Sequence, residues 1–453
     1  MRLTDLNRDG GIGANCLHVE IGDFRFIVDA GLHPKRVGLQ ATPDLSALPA
    51  GSTDFIVLTH CHLDHLGSLP LVMKAQPQAS ALMSIPSRML AARMLHNSCN
   101  VMKRQRDELG LTEYPLFQHS DVDRCEASFA PVPFRQSRTL RANQGGDTIE
   151  FTLFPAGHIA GAAGVRLVHK HRRIFFTGDV LFSAQRTLPG ADFPTEPVDT
   201  LVLETTRGAT ERKASEEREP ELERLLETIE QTLARGGSIL IPVFALGRMQ
   251  EIMAVLHEAV KKRRIPHAPI FCGGLGVDLA SYLDDISRRT GLVNFRHKIL
   301  KELKVRPMPD FRAGRPPGER GIYLLSSGML VGNTPSYACA ASLLADHAST
   351  VAFVGYCDPD TPGGQLLASS PGDTFLFDKL DYACPIRARV ERFELSGHAD
   401  RDELLDYAVS LEPRAIVLTH GDPEARAWFS EQLAERLPKC QVVDPKPLQP
   451  YQV

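Results

Sequence analysis

Apolar β-type runs that stop at a histidine, aspartate or glutamate constrain this 453-residue chain more than any other feature. Residues 54–59 (DFIVLT) run straight into HCHLDH, residues 173–177 (RIFFT) into Gly178 and Asp179, and residues 199–203 (DTLVL) into Glu204. Residues 148–154 form another run shortly before His158. The polar chemistry of the chain therefore sits at strand endings.

The strongest of these endings is the stretch of residues 60–65. In extended backbone His60 and His62 point the same way and Cys61 the other, while Asp64 and His65 need a turn to converge on the same cavity. Three imidazoles and a carboxylate within six positions are what two closely spaced borderline-soft cations require. A chance match to this pattern is on the order of two in a thousand for a chain of this composition. Burying three rings and a carboxylate without a metal would leave several polar groups to satisfy. His158 in PAGHIAGAAG, Asp179 in FFTGD and His420 in VLTHGD repeat the setting, each after an apolar strand and beside glycine. His18, His96, His119, His169, His171 and His297 read as solvated or hydrogen-bonded rings.

Composition narrows the class. Fifty-one Lys and Arg against 55 Asp and Glu leave a net charge of −4, which excludes a strongly basic nucleic-acid coat but permits a local positive groove. With 43% hydrophobic residues the chain is no disordered segment, and its length suggests about two or three domains. Nine cysteines without a CxxC pair read as reduced, mostly buried thiols. The charged start MRLTDLNRDGGIG has no apolar leader core, and no run of eighteen apolar residues follows, so a cytoplasmic protein without a membrane span is expected.

Along the chain, Gly22 and Asp23 separate two short β runs in residues 15–29, a hairpin signal. Helical text appears after His65, in residues 87–109 and in residues 214–234, the last stopped by Gly236 and Gly237. From there strand, turn and helix alternate through residues 238–245, 268–274 and 321–328, which suggests a second domain with a parallel sheet under helices. Residues 305–319, rich in Pro, Gly and Arg, read as a surface loop.

These motifs resemble those of the metallo-β-lactamase fold and, within it, of the β-CASP nucleic-acid-processing family. HCHLDHLGSLP is similar to the second motif of that fold, Asp29 in VDAGLHP to the first, His158 to the third and Asp179 to the fourth. Glu204 in LETTRG, His398 in ELSGHADR and His420 in LTHGDPEA match β-CASP motifs A, B and C, and PVFALGRMQE and SSGML are similar to further stretches of the inserted cassette. The resemblance implies an α/β protein: a four-layer αββα metallo-β-lactamase domain formed by residues 1–204 and 386–453, with an inserted β-CASP α/β domain at residues 205–385.

It also implies roles. His60, His62 and His158 would hold one zinc ion, Asp64, His65 and His420 a second, with Asp179 bridging; manganese could replace zinc. Asp64, Glu204 and His398 would carry catalysis, His398 protonating the leaving group and Glu204 orienting it. Asp29 would orient a ligand or its loop, and Arg248 with Ser326, Ser327 and Gly328 would contact phosphates. Motif A departs from the family's Glu-Ser-Thr-Tyr-Gly, since Thr205, Thr206, Arg207 and Gly208 follow Glu204, and Cys272, Gly273 and Gly274 replace an Asp-Ser-Pro turn. These changes fall on the substrate side, where Arg207 offers either a new phosphate contact or a solvated charge. No separate RNA-binding module is expected after His420.

The implied activity is a zinc-dependent ribonuclease on single-stranded RNA, cutting internally, from an end, or both. The alternatives are a nuclease on DNA, a small-phosphodiester hydrolase, and a non-catalytic partner of an active relative. A homodimer is expected by family analogy.

Overall fold

A computed structural model describes residues 1–212 and 217–453. It divides the chain into two compact units: Met1–Ala184, Pro189–Glu211 and His398–Val453 form the first, Gln185–Leu188 and Arg212–Gly397 the second.

The first unit is built on two seven-stranded sheets. One runs in the order Pro450–Gln452, Arg2–Asp5, Leu17–Ile21, Phe24–Val28, Phe55–Val57, Ser80–Ser84, Phe129–Val132. The other runs Gln441–Val443, Ala415–Thr419, Thr200–Glu204, Arg172–Phe176, Ala163–His169, Thr148–Pro155, Arg138–Arg141. Because successive strand side chains alternate in direction, Phe24, Phe26 and Val28 of the first sheet meet Phe151, Val165, Ile174 and Phe176 of the second in one core. The intervening Phe175, Leu201, Leu203, Ile416 and Leu418 face the opposite way, onto Leu404, Leu405, Phe429 and Leu433 of helices Arg401–Ser410 and Pro423–Arg436. Helix Ile85–Leu109 covers the first sheet along Ser80–Ser84 and Phe129–Val132. The result is the αββα four-layer arrangement.

Strand Thr200–Glu204 is buried at every position, as a parallel strand covered on both faces must be. It pairs in parallel with Arg172–Phe176 on one side and with Ala415–Thr419 on the other, in a register that sets Glu204 opposite Thr419. The end of one strand therefore delivers Glu204 beside His420.

In the second unit six parallel strands lie in the order Arg306–Pro307, Ile270–Cys272, Ile322–Leu325, Ile239–Pro242, Thr350–Val354, Arg389–Phe393. Tyr323 stacks on Phe271 with ring centres 4.6 Å apart, and Tyr337, Phe353 and Phe377 complete that core.

The hairpin around Gly22 forms as expected, Leu17–Ile21 antiparallel to Phe24–Val28. The units divide at other points than residues 204 and 386. Strand Arg389–Phe393 pairs with Thr350–Val354 and so belongs to the inserted sheet, and the first unit resumes only at His398. At the outgoing end, Thr205 donates its N–H to the His420 carbonyl, which keeps the turn after Glu204 in the first unit. The helix expected over residues 214–234 is described from Arg218 to Ala234, and residues 213–216 lie outside the described part. Eight of the nine cysteines are buried. Among the described residues no helix is long and apolar enough to cross a membrane.

Candidate metal centre

The strand ends of the first unit meet at one cluster. His60, His62, Asp64 and His65 follow Phe55–Val57, His158 precedes Ala163–His169, Asp179 follows Arg172–Phe176, Glu204 ends its strand, and His420 follows Ala415–Thr419. Gly178 permits the approach. It holds φ at +53°, and a Cβ there would come within 2.9 Å of the Ala163 carbonyl and 3.1 Å of Thr59. Asp29 and His420 are also left-handed, at φ 64° and 50°, a conformation that costs a non-glycine residue about 1 kcal/mol.

Two groups of donors form around Asp179. His60, His62 and His158 present ring nitrogens within 4.8 Å of one another, as do the donor atoms of Asp64, His65 and His420. Between them, Asp179 Oδ2 stands 3.6 Å from His60 Nε2 and 3.4 Å from His65 Nε2, while its Oδ1 lies 3.2 Å from His420 Nδ1. His420 Nε2 is 3.3 Å from Asp64 Oδ2, and His398 Nε2 is 3.9 Å from Asp179 Oδ2.

The electrostatics match that geometry. Burial lowers the imidazole of His60 well below its ordinary value, helped by the neighbouring rings, and so keeps it a neutral donor. Burial would also lower His65, but Asp179, Asp29 and Asp64 outweigh it and raise that ring well above the usual histidine range. Burial works to raise the carboxyls of Asp64 and Asp179, and the facing imidazoles overcome it and hold both well below the usual carboxylate range. The carboxylates thus stay ionised beside a protonated His65, and a cation binding among these donors would displace that proton. Two buried atoms, His60 Nε2 and Asp179 Oδ1, have no hydrogen-bond partner among the described residues. Buried polar atoms without partners are costly, and neutral imidazoles with carboxylates are donors that divalent zinc or manganese accepts. The residues fit a divalent metal.

A ring of supporting groups fixes these side chains. Asp29 accepts from Thr59 N–H at 2.8 Å and from the Thr59 hydroxyl at 2.8 Å, and its Oδ2 lies 2.7 Å from His65 Nδ1, which turns His65 Nε2 toward the cluster. Glu204, fully buried, accepts Val180 N–H at 2.7 Å and stands 3.1 Å from His398 Nδ1, which leaves His398 Nε2 facing Asp179. The Thr206 hydroxyl lies between the Glu204 carboxylate, to which it donates, and His420 Nδ1 at 2.8 Å. Asn15 Nδ2 reaches within 3.1 Å of His65 Nε2. Thr59 and Asn15 escaped the sequence reading, and Thr206, expected on the substrate side, stands instead against Glu204 and His420.

Four expected site residues fall in the second unit. Arg248 is 6% exposed, and its guanidinium donates to the Leu395 carbonyl and to Gln185, so protein acceptors occupy the group expected to reach phosphate. Burial, reinforced by Arg218, lowers its pKa to about 10. Ser326, Ser327 and Gly328 form the turn after Ile322–Leu325, with the Ser327 hydroxyl accepting Val331 N–H at 2.9 Å. Arg207, in the first unit, is 5% exposed and is not a solvated charge.

Comparison with known proteins agrees with this architecture. Residues 9–227 match the metallo-beta-lactamase superfamily, residues 249–366 the Beta-Casp domain, and residues 384–442 a Zn-dependent metallo-hydrolase RNA specificity domain. The chain belongs to the β-CASP family of metallo-β-lactamase proteins. Among its β-CASP relatives is the cleavage and polyadenylation specificity factor subunit 3 of Dictyostelium discoideum, 26% identical over 98% of this chain and 56% of that protein. An RNase J-like protein of Methanocaldococcus jannaschii is 26% identical over 91% of this chain and 90% of that protein. The chain thus spans little more than half the length of the first relative and most of the second. A crystal structure of a protein of unknown function from Enterococcus faecalis V583 shares the fold, with a TM-score of 0.54 at 12% identity over 99% of both chains. The match at residues 384–442 falls on the segment, residues 386–453, that carries His398 and His420 and was expected to complete the metallo-β-lactamase domain.

Proposed function

We propose that this β-CASP chain is a hydrolase that cleaves phosphodiester bonds in single-stranded RNA at a centre of two zinc ions, for which manganese can substitute. The observation that carries the reading is the convergence on Asp179 of both donor groups together with His398, itself engaged by Glu204. His60, His62 and His158 would hold one ion, Asp64, His65 and His420 the other, and Asp179 would serve both. Two such ions activate water near neutral pH and neutralise the charge that builds on a phosphoryl group in transit.

The side chains supply the rest. Asp29 and Thr206 fix the ring orientations of His65 and His420, so that the donor set is ready before substrate arrives. Glu204 holds His398 through Nδ1, and His398 then carries a proton at Nε2 for the departing oxygen. The names of the relatives, a cleavage factor subunit and an RNase J-like protein, and the RNA specificity domain matched at residues 384–442 support RNA as the substrate. The scattered cysteines support a cytoplasmic setting.

The test is a product ladder from end-labelled single-stranded RNA and DNA of one sequence, with the metal-replete protein beside Asp64→Ala and His398→Ala. Metal-dependent RNA cleavage lost in both variants is expected, with a folded protein by circular dichroism. Faster cleavage of DNA would move the substrate assignment, and full RNA cleavage by both variants would end the proposal.

A further inference from the structure

The second unit contains a cavity of about 320 Å³ that the hydrolase reading does not use. Arg235, Arg387, Arg389 and His347 line it, above apolar surface from Ile386 and Leu367, and no acidic side chain takes part in the lining. It lies at the starting ends of strands Thr350–Val354 and Arg389–Phe393. The Ser326 turn follows the finishing end of Ile322–Leu325, a parallel strand separated from Thr350–Val354 by Ile239–Pro242, so the cavity and that turn lie at opposite ends of the sheet's strands.

Two of the three guanidiniums are held in place without being fully neutralised, and the third is exposed beside them. Arg235 donates to the Ala348 carbonyl and to the Thr350 hydroxyl, each at 2.7 Å, and both are neutral acceptors. Arg389 meets Gln231 at 3.0 Å and Glu391, a carboxylate that it shares with Arg224. Among the described residues nothing engages the Arg387 guanidinium. Burial lowers the pKa of Arg235 and the proximity of Arg389 lowers it further, the mark of like charges brought together. Planar guanidiniums at fixed positions recognise phosphate oxygens with paired donors, while an apolar floor beside an imidazole suits a nucleobase rather than a bare anion.

We propose that this cavity binds a nucleoside phosphate, its phosphate on Arg235, Arg387 and Arg389 and its base against Ile386, Leu367 and His347. The ligand is either a free nucleotide or one residue of a nucleic-acid strand. The proposal is independent of the metal centre and of the hydrolase reading.

Isothermal titration of the metal-replete full chain tests it, with adenosine 5′-monophosphate, adenosine and inorganic phosphate as probes. The comparison protein is Arg387→Gln/Arg389→Gln, whose replaced side chains are exposed, so the fold is retained and a thermal scan checks it. Nucleotide binding at least tenfold weaker in the variant, with adenosine and phosphate each binding more weakly than the nucleotide, is expected. Equal nucleotide affinity in the two proteins would overturn the proposal, as would inorganic phosphate binding as tightly as the nucleotide. A 2′-O-methyl RNA pentamer separates the sources: weakened binding in the variant assigns the cavity to a strand, and unchanged binding assigns it to free nucleotide.

Discussion

Replacing Asp5 with asparagine should make the stability of the chain less sensitive to pH, by an amount the structure sets. Asp5 ends strand Arg2–Asp5, is 8% exposed, and accepts Asn7 N–H at 2.9 Å. Burial raises its carboxyl from 3.8 to about 7, with Asn7 and Arg426 pulling the other way and Asp444 adding to the rise. A raised carboxyl favours the folded state fully below the unfolded pKa, and that advantage is lost as pH climbs through the folded one. Each unit is worth about 1.4 kcal/mol, so the loss is about 1.6 kcal/mol by pH 5 and about 4 kcal/mol above pH 7. A neutral amide in the same place carries no such dependence. The gap between variant and wild type should therefore widen by about 3 kcal/mol between pH 5 and pH 8, or about 6 °C in midpoint for a unit of this size. Thermal scans of both proteins across that range measure it, and subtraction cancels the titration of the histidine cluster common to both. A gap constant to within about a degree would refute the reasoning.

Three further outcomes follow from the geometry. Glu251, 1% exposed, accepts Arg186 N–H, Thr187 N–H, the Thr187 hydroxyl and Arg218, so Glu251→Ala should cost about 3–5 kcal/mol and open residues 185–188 to limited proteolysis. Thr206→Val removes the hydroxyl between Glu204 and His420 and should weaken metal affinity roughly 10–100-fold in competition with a zinc indicator, while Thr206→Ser restores it. Phe26→Ala, at a fully buried ring stacked on Phe55 with centres 4.9 Å apart, should cost about 3–5 kcal/mol in thermal unfolding.

The donor cluster was legible because its strongest part is local: alternation in HCHLDH already puts His60 and His62 on one side. Glu204 and His398 needed the family resemblance, since an isolated glutamate after a strand has no pattern of its own. For Arg248 the sequence left a phosphate contact and a structural role both open, and only tertiary packing reveals the Leu395 carbonyl to which its guanidinium donates. The first unit resumes at His398 rather than at residue 386 for a similar reason. RVERF reads as a strand, but nothing in five residues tells which sheet will accept it. The role of Thr206 stayed hidden because a lone threonine gains meaning only when the turn after Glu204 is folded against His420.

The pairing of Thr200–Glu204 with Ala415–Thr419 also imposes a timetable on synthesis. When the first of these strands leaves the ribosome, its partner is about 200 residues from being made, which at 5–20 residues per second is roughly 10–40 s. Through that interval an apolar strand stands with one hydrogen-bonding edge open, the kind of edge on which chains aggregate. A transcript or ribosome that stops within the second unit would leave that edge open for good, so truncation is a sharper hazard to this protein than most single substitutions.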